Sequence, residues 1–388
     1  MSTPGPIHPL LAGGEYPFAA LEARFRDLCP PGVEPIHFSV GDPREETPDF
    51  IRQALRDAVP VVSSYPTVAG EPALRRACSG WLERRFGVRL HPDREILPVN
   101  GTKEAVFSLA LAVIGRDAAK RTVVIPSPAY PVYGAGARFA GGEIHETPLS
   151  AASGWRFDPA RVPDAVWEKT ALLWLNVPHN PTGALLDDAG YERTLALARR
   201  FGFWVAADEA YSEVYFERRP RSALEFGADN VLALHTLSKR SAMTGYRSGF
   251  MAGDARLIEP LRRFRPNLGV ATPEFVQQAA IAAWGDDSHA ARQRERYAAK
   301  RVLLRAYFAQ RGWSIEASEA TFYLWMKVPG GDDAGFVDSL MRAGMVAMPG
   351  RLLGEAGAGY VRWALVPTVE RCREALGRLD AVPDPVTR

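Results

Sequence analysis

Hydrophobic positions along this chain fall into two alternating kinds of run. Five are short and almost unbroken: Ile96 to Val99, Thr122 to Ile125, Ala171 to Val177, Phe203 to Ala207 and Val231 to Leu237. Between them lie longer stretches with apolar residues at helical spacing, as in Val106, Leu109, Ala110 and Val113. A strand hidden on both faces has no polar side, so this alternation predicts a parallel sheet covered by helices above and below. Ahead of the first run the pattern predicts a Pro/Gly-rich arm over residues 1 to 35, with an aromatic turn at Tyr16-Pro17-Phe18 and a short helix from Phe18 to Leu28. A strand at Ile36 to Val40 follows, then a helix with Thr47 as N-cap and Pro48 in its first turn, and a helix over Pro72 to Phe86. Behind the last run, Thr272-Pro273-Glu274 opens one helical stretch to about Gln310. Phe322 to Val328, a helix over Ala334 to Ala343, Val346 to Met348, Tyr360 to Val366 and a final helix complete the chain. The expected division is 1–45 (arm and part of a small α+β domain), 46–265 (large domain) and 266–388 (interdomain helix and small domain).

Composition bears on the partner more than on the fold. With 388 residues, 47% hydrophobic and 24% charged, the chain suits two globular domains. Its net charge of +2 is scattered, which leaves no footprint for nucleic acid or an anionic membrane and points to small-molecule partners. Cys29, Cys78 and Cys372 stand far apart, so neither a disulfide scaffold nor a zinc ribbon is expected, and no metal. No run reaches the roughly eighteen apolar residues of a membrane span. No apolar core follows a basic start, so a cytoplasmic location is expected. A dehydrogenase or NTPase is disfavoured, because no Gly-x-Gly-x-x-Gly opens a helix and no Gly-Lys-Ser/Thr occurs.

The chemistry gathers at the strand ends. Arginine is the default cation here, with only six lysines in the chain, yet Lys239 directly follows the buried run Val231 to Leu237. A partly desolvated ammonium there has a lowered pKa, and its neutral amine forms a Schiff base with an aldehyde. The other ends carry Gly101-Thr102-Lys103, Pro128-Ala129-Tyr130, Asn180-Pro181-Thr182-Gly183 and Asp208-Glu209-Ala210-Tyr211. Gly101, Thr102 and Lys103 would aim helix N-terminal amides at a phosphate, with Arg247, Thr236 and Ser238 completing the cup. Tyr130 suits stacking on a flat heterocycle. Asp208 leaves a buried run and calls for a cation such as a protonated pyridine nitrogen, while Asn180 and Tyr211 suit a phenolic oxygen. Gly41, in the turn Gly41-Asp42-Pro43, leaves its backbone open to a ligand. Singly, each motif is an ordinary cap, turn or strand end. Five at consecutive strand ends describe a site for a phosphorylated, aromatic aldehyde.

In this order and spacing the motifs resemble the class I and II aminotransferases of the aspartate aminotransferase fold (fold type I), over about Val33 to Leu379. The resemblance implies an α/β architecture: a large domain with a mostly parallel seven-stranded sheet between helices, plus a smaller α+β domain. It also implies pyridoxal 5'-phosphate as cofactor, amino acid and 2-oxo acid substrates, and a homodimer with shared active sites. By position, Lys239 matches the Schiff-base lysine, Asp208 the pyridine-nitrogen partner, Asn180 and Tyr211 the ring-oxygen partners, and Tyr130 the stacking aromatic. Arg247 matches the phosphate arginine, and Tyr65 the tyrosine that reaches the neighbouring subunit's phosphate. Val361-Arg362-Trp363-Ala364-Leu365 matches the strand whose arginine holds the substrate α-carboxylate, with Gly41 and Asn180 beside it. Ser39-Val40-Gly41-Asp42-Pro43, Ser238-Lys239-Arg240-Ser241 and Thr321-Phe322-Tyr323-Leu324-Trp325 are similar to the N-succinyldiaminopimelate aminotransferases of bacterial lysine synthesis. That implies transfer between N-succinyl-LL-2,6-diaminopimelate and 2-oxoglutarate. Pro128-Ala129-Tyr130-Pro131 is closer to general class I members, so aspartate, alanine, aromatic or LL-diaminopimelate aminotransferases and a carbon-sulfur β-lyase stay open. Remote substrate carboxylates would need further cations, for which Arg44, Arg240 and Arg265 are candidates, the last from the other subunit.

Overall fold

The computed structural model describes residues 8–11, 17–115 and 119–383. Tyr16, with most of the expected arm before it, lies outside the described residues. Among the described residues twelve strands run in chain order: β1 (Ile36–Phe38), β2 (Ile96–Val99), β3 (Thr122–Ser127), β4 (Glu143–Pro148), β5 (Thr170–Asn176) and β6 (Trp204–Asp208) come first. They are followed by β7 (Val231–Thr236), β8 (Gly249–Gly253), β9 (Ile315–Glu316), β10 (Tyr323–Lys327), β11 (Met345–Pro349) and β12 (Tyr360–Ala364). One sheet has seven strands in the order β2-β8-β7-β6-β5-β3-β4, the other five in the order β1-β11-β12-β10-β9.

The seven-stranded sheet separates two apolar layers, and side-chain alternation shows why its strands read as unbroken runs. Val205, Ala207, Val231 and Ala233 join the larger core, which continues through Trp325 and Trp363 into the five-stranded sheet. Ala206, Leu232 and Leu234, one position over, join a second core on the opposite face with Val106 and Leu109 of the helix Thr102–Val113. Parallel pairing from β4 through β7 puts Ser127, Asn176, Asp208 and Thr236 at one edge. Strand β8 alone runs antiparallel to its neighbours β7 and β2, with Gly249 opposite both Thr236 and Val99. Its start, rather than its end, therefore lies at that edge, and this brings in Arg247.

Two expectations need correction, and two strands were not foreseen. Thr47 does not cap the second helix. Its Oγ1 donates to the Ala242 carbonyl at 2.6 Å, and the helix begins at Asp49 behind Pro48. The stretch from Glu274 to Gln310 is two helices, Glu274–Gly285 and Ser288–Gln310. Asp286 breaks it in extended backbone, and its carboxylate accepts from the His289 amide at 2.8 Å and faces His289 Nδ1 at 2.7 Å. Strand β4 was hidden by its polar sequence, Glu-Ile-His-Glu-Thr-Pro, which an edge strand tolerates. Strand β8 was obscured because glycines bound its apolar centre.

Candidate active site

Thr236 ends β7 and turns the chain. Its Oγ1 accepts from the Ser238 amide at 3.2 Å and so caps the one-turn helix Leu237–Arg240, which leaves Lys239 facing a cavity of about 350 Å³ at the sheet's carboxyl edge. Lys239 Nζ donates to the Gly41 carbonyl. Burial lowers its pKa from 10.5 to about 8, against the pull of Asp42 and with help from Arg247 and Arg362. The amine is therefore substantially neutral just above pH 8. In the cofactor-free chain, labelling of Lys239 by a small amine-reactive reagent should rise with pH through a midpoint of about 8, read by peptide mass spectrometry. A midpoint near the ordinary lysine value would contradict this environment.

One strand over, Asp208 closes β6. Its Oδ2 accepts from the Tyr133 hydroxyl at 2.6 Å and its Oδ1 from the Ala210 amide at 3.2 Å. Burial still raises its pKa, with those two bonds and the charge of Lys239 opposing. Among the described residues no cation forms an ion pair with it, so the carboxylate sits partnered by neutral donors where a cationic ligand atom would be stabilised.

Around these two groups the cavity has three sides. Thr102, Lys103, Thr236, Ser238 and Arg247 line the first, a set of first-turn amides, hydroxyls and a guanidinium suited to a phosphate. Gly101 serves this side differently from expectation: its amide donates to the Val99 carbonyl at 2.8 Å. A Cβ there would lie 2.6 Å from Arg247 Nη2, so the missing side chain is what lets the guanidinium approach. Tyr130 and Asn180 line a second side. On the third, Arg362 is buried, donating from Nη1 to Asn180 Oδ1 at 3.0 Å and from Nη2 to the Ser39 carbonyl at 2.6 Å. Its Nε has no acceptor among the described residues. Gly41 lines this side too, and a Cβ on it would collide with the Tyr323 hydroxyl.

Three further residues were not singled out from the sequence. Tyr133 holds Asp208 and stacks on Trp174, with ring centroids 4.5 Å apart; its only signal was a second tyrosine three places after Tyr130. Tyr323 lies with its ring 4.4 Å beneath the Arg362 guanidinium and its hydroxyl 2.9 Å from that of Tyr211. Asn176 ends the apolar run of β5, donates to the Asp208 carbonyl at 2.8 Å and accepts from the Asn180 amide at 2.8 Å. Conversely, Tyr65 is fully exposed and outside the cavity. Arg240 is not a cavity cation either. It is buried beneath Trp81 and Trp284, donates to the Ala283 carbonyl at 2.8 Å and pairs with Asp287. Arg265, also buried, pairs with Glu104. Arg44 is exposed, 3.6 Å from the carboxylate of Asp42 at the cavity wall.

A sheet-edge lysine with a depressed pKa, an anion cup and a buried carboxylate beside it define a protein that holds an aldehyde cofactor. The chain belongs to the aminotransferase class I and II family, which matches residues 33–379. The LL-diaminopimelate aminotransferase of Desulforudis audaxviator is 38% identical over 372 residues, 94% of each chain. Among solved structures, an aminotransferase from Neisseria meningitidis superposes with TM-score 0.90 at 35% identity, covering 97% of this chain and all of the other. A probable N-succinyldiaminopimelate aminotransferase from Thermus thermophilus gives TM-score 0.87 at 29% identity, covering 94% of this chain and all of the other. The fold is that of the aspartate aminotransferase superfamily, and the cofactor of this family is pyridoxal phosphate. The donor set fits it: an anion cup and a carboxylate awaiting a cation lie on either side of Lys239 in one cavity.

Proposed function

We propose that this aminotransferase transfers an amino group from N-succinyl-LL-2,6-diaminopimelate to 2-oxoglutarate, working as a homodimer in the cytoplasm. The reaction type follows from the family; the observation that carries the site is Lys239 and Asp208 on adjacent strand ends, with Arg362 across the same cavity. Pyridoxal phosphate, when bound, supplies an aldehyde that condenses with amines and a ring that accepts an electron pair from the substrate α-carbon. Lys239 Nζ would hold that aldehyde and would serve as the general base for the substrate α-proton. Asp208 keeps the ring nitrogen protonated, with Tyr133 and Ala210 orienting its two oxygens. Thr102, Lys103, Thr236, Ser238 and Arg247 hold the phosphate, Gly101 makes room for Arg247, and Tyr130 stacks. Asn180 and Tyr211 bond the ring's phenolic oxygen. Arg362, beside Gly41, takes the substrate α-carboxylate, and Tyr323 keeps the guanidinium plane in place. Tyr65, exposed on its own chain, reaches the partner's phosphate side.

Substrate choice turns on the cavity mouth. The carboxylates lining the cavity are Asp42 and Asp208. Asp42 already faces Arg44 and Lys239, so a free distal ammonium has poor company there. A succinyl carboxylate would meet Arg44, whose side chain is 68% exposed. The second reading, LL-diaminopimelate itself, is favoured by the 38% identical relative. Glutamate formation from each donor with 2-oxoglutarate separates the two: the first reading expects the higher kcat/KM for the succinylated donor. Arg44→Ala should cut that value roughly two- to fivefold, as for an exposed ion pair, and leave LL-diaminopimelate little changed. Equal losses for both donors, or a preference for LL-diaminopimelate, would reverse the assignment.

A further inference from the structure

Behind the Lys239 turn, on the side away from the active-site cavity, lies a second cavity of about 260 Å³ that the reaction does not use. Three segments close it: the start of the helix Asp49–Asp57 with Glu46 and Thr47 before it, the pair Arg240 and Ser241, and one face of the helix Ser288–Gln310. That face presents His289, Arg292, Gln293 and Arg296, spaced so that they fall one above another. The floor is buried and rich in donors. Gln293, 5% exposed, turns its amide to Tyr297, and Arg240, 2% exposed, packs against Trp81 and Trp284. Ser241 Oγ and His289 Nε2 lie 2.8 Å apart between them.

On the rim, charges are unevenly matched. Arg52 is paired with Asp49 at 3.2 Å, and Arg240 with Asp287 at 3.1 Å. Arg292 and Arg296 bond only to neutral groups, Ser288 Oγ and Gln293 Oε1, and neither forms an ion pair with a described carboxylate. Opposing them is Glu46. Two guanidinium groups one helical turn apart, neither paired with a described carboxylate, match the oxygens of a small dianion.

We propose that this cavity binds a small dianionic oxyanion, a phosphate or a dicarboxylate, as an effector. The link to the active site is covalent and short. Arg240 and Ser241 directly follow Lys239, and Thr47 ties the Ala242 carbonyl. The segment that carries Glu46 and Thr47 also carries Gly41 and Asp42 into the active-site cavity, and Glu45 anchors it to Lys300 on the same long helix. A dianion bridging Arg292 and Arg296 to Arg52, on the helix that continues this segment, holds it against the long helix and lowers the KM for the amino donor.

Titration of the holoenzyme with inorganic phosphate, and separately with succinate, at fixed ionic strength tests this by calorimetry. One site per chain is expected, with Arg292→Ala/Arg296→Ala weakening it by at least about tenfold, as for lost charge-assisted bonds. Glu46→Gln, which removes the opposing charge, should tighten it. Preference between the two anions tells a phosphoryl from a dicarboxylate ligand, and any succinate entering the substrate cavity persists in the double variant. No saturable binding, or binding that the double variant and Glu46→Gln leave unchanged, overturns the site; binding with an unaltered donor KM overturns the effector role. Because the calorimetric arm needs no amino donor, its outcome is independent of which donor the enzyme prefers.

Discussion

Lys239→Ala is expected to lose transamination by at least about 10³-fold in kcat, the scale for removing a general base that is also the covalent anchor. Borohydride treatment of the parent holoenzyme should tag the peptide containing Lys239, and the variant should show no tag there. Folding should survive. The folded pKa of Lys239 is about 8 against an ordinary 10.5, so its charged form is disfavoured in the folded chain. That cost is fully present below pH 8 and disappears as pH rises from 8 to 10.5, where the unfolded chain still binds the proton. Below pH 8 the cofactor-free variant should therefore melt no lower than the cofactor-free parent. Retention of more than a tenth of the activity, or a tag elsewhere in the parent, would remove Lys239 from the centre of the mechanism.

What made this lysine legible is the sheet. A parallel strand covered on both faces must be apolar throughout, so β5, β6 and β7 announced themselves, and the polar residue after each had to lie at the ligand-binding edge. Asp208 and Lys239 were readable for that reason, and so was Asn180. Less visible were contacts fixed by side-chain direction. Tyr133 looks like any helix residue until its hydroxyl is seen 2.6 Å from Asp208. Gly101 carried a helix-start signal that is right about place and wrong about atoms, because its amide already serves Val99. Arg240 was misread for a related cause. Adjacent to Lys239 in sequence, it points the other way, into an aromatic layer with Trp81 and Trp284, as a one-residue step on a one-turn helix dictates.

Asp208→Asn should reduce kcat by about 10²- to 10³-fold, with a smaller effect on the KM for the amino donor, the scale for losing a preorganised charge at the reacting centre. The amide oxygen can still accept from Ala210 while its NH2 donates to the Tyr133 hydroxyl oxygen, so the local backbone has no reason to move. Stability should change in the opposite direction to activity. Burial raises the Asp208 pKa, so in the cofactor-free chain its ionised form is disfavoured. Such a cost is absent below the ordinary carboxylate pKa of 3.8, grows between that and the raised folded value, and is full above it. At neutral pH the cofactor-free asparagine variant should accordingly melt higher than the cofactor-free parent. Loading with pyridoxal phosphate should narrow or reverse that gap, because the parent alone then gains a cation beside its carboxylate. A variant as active as the parent, or one less stable without cofactor, would mean that Asp208 is held by its neighbours for packing and that the ring nitrogen has another partner.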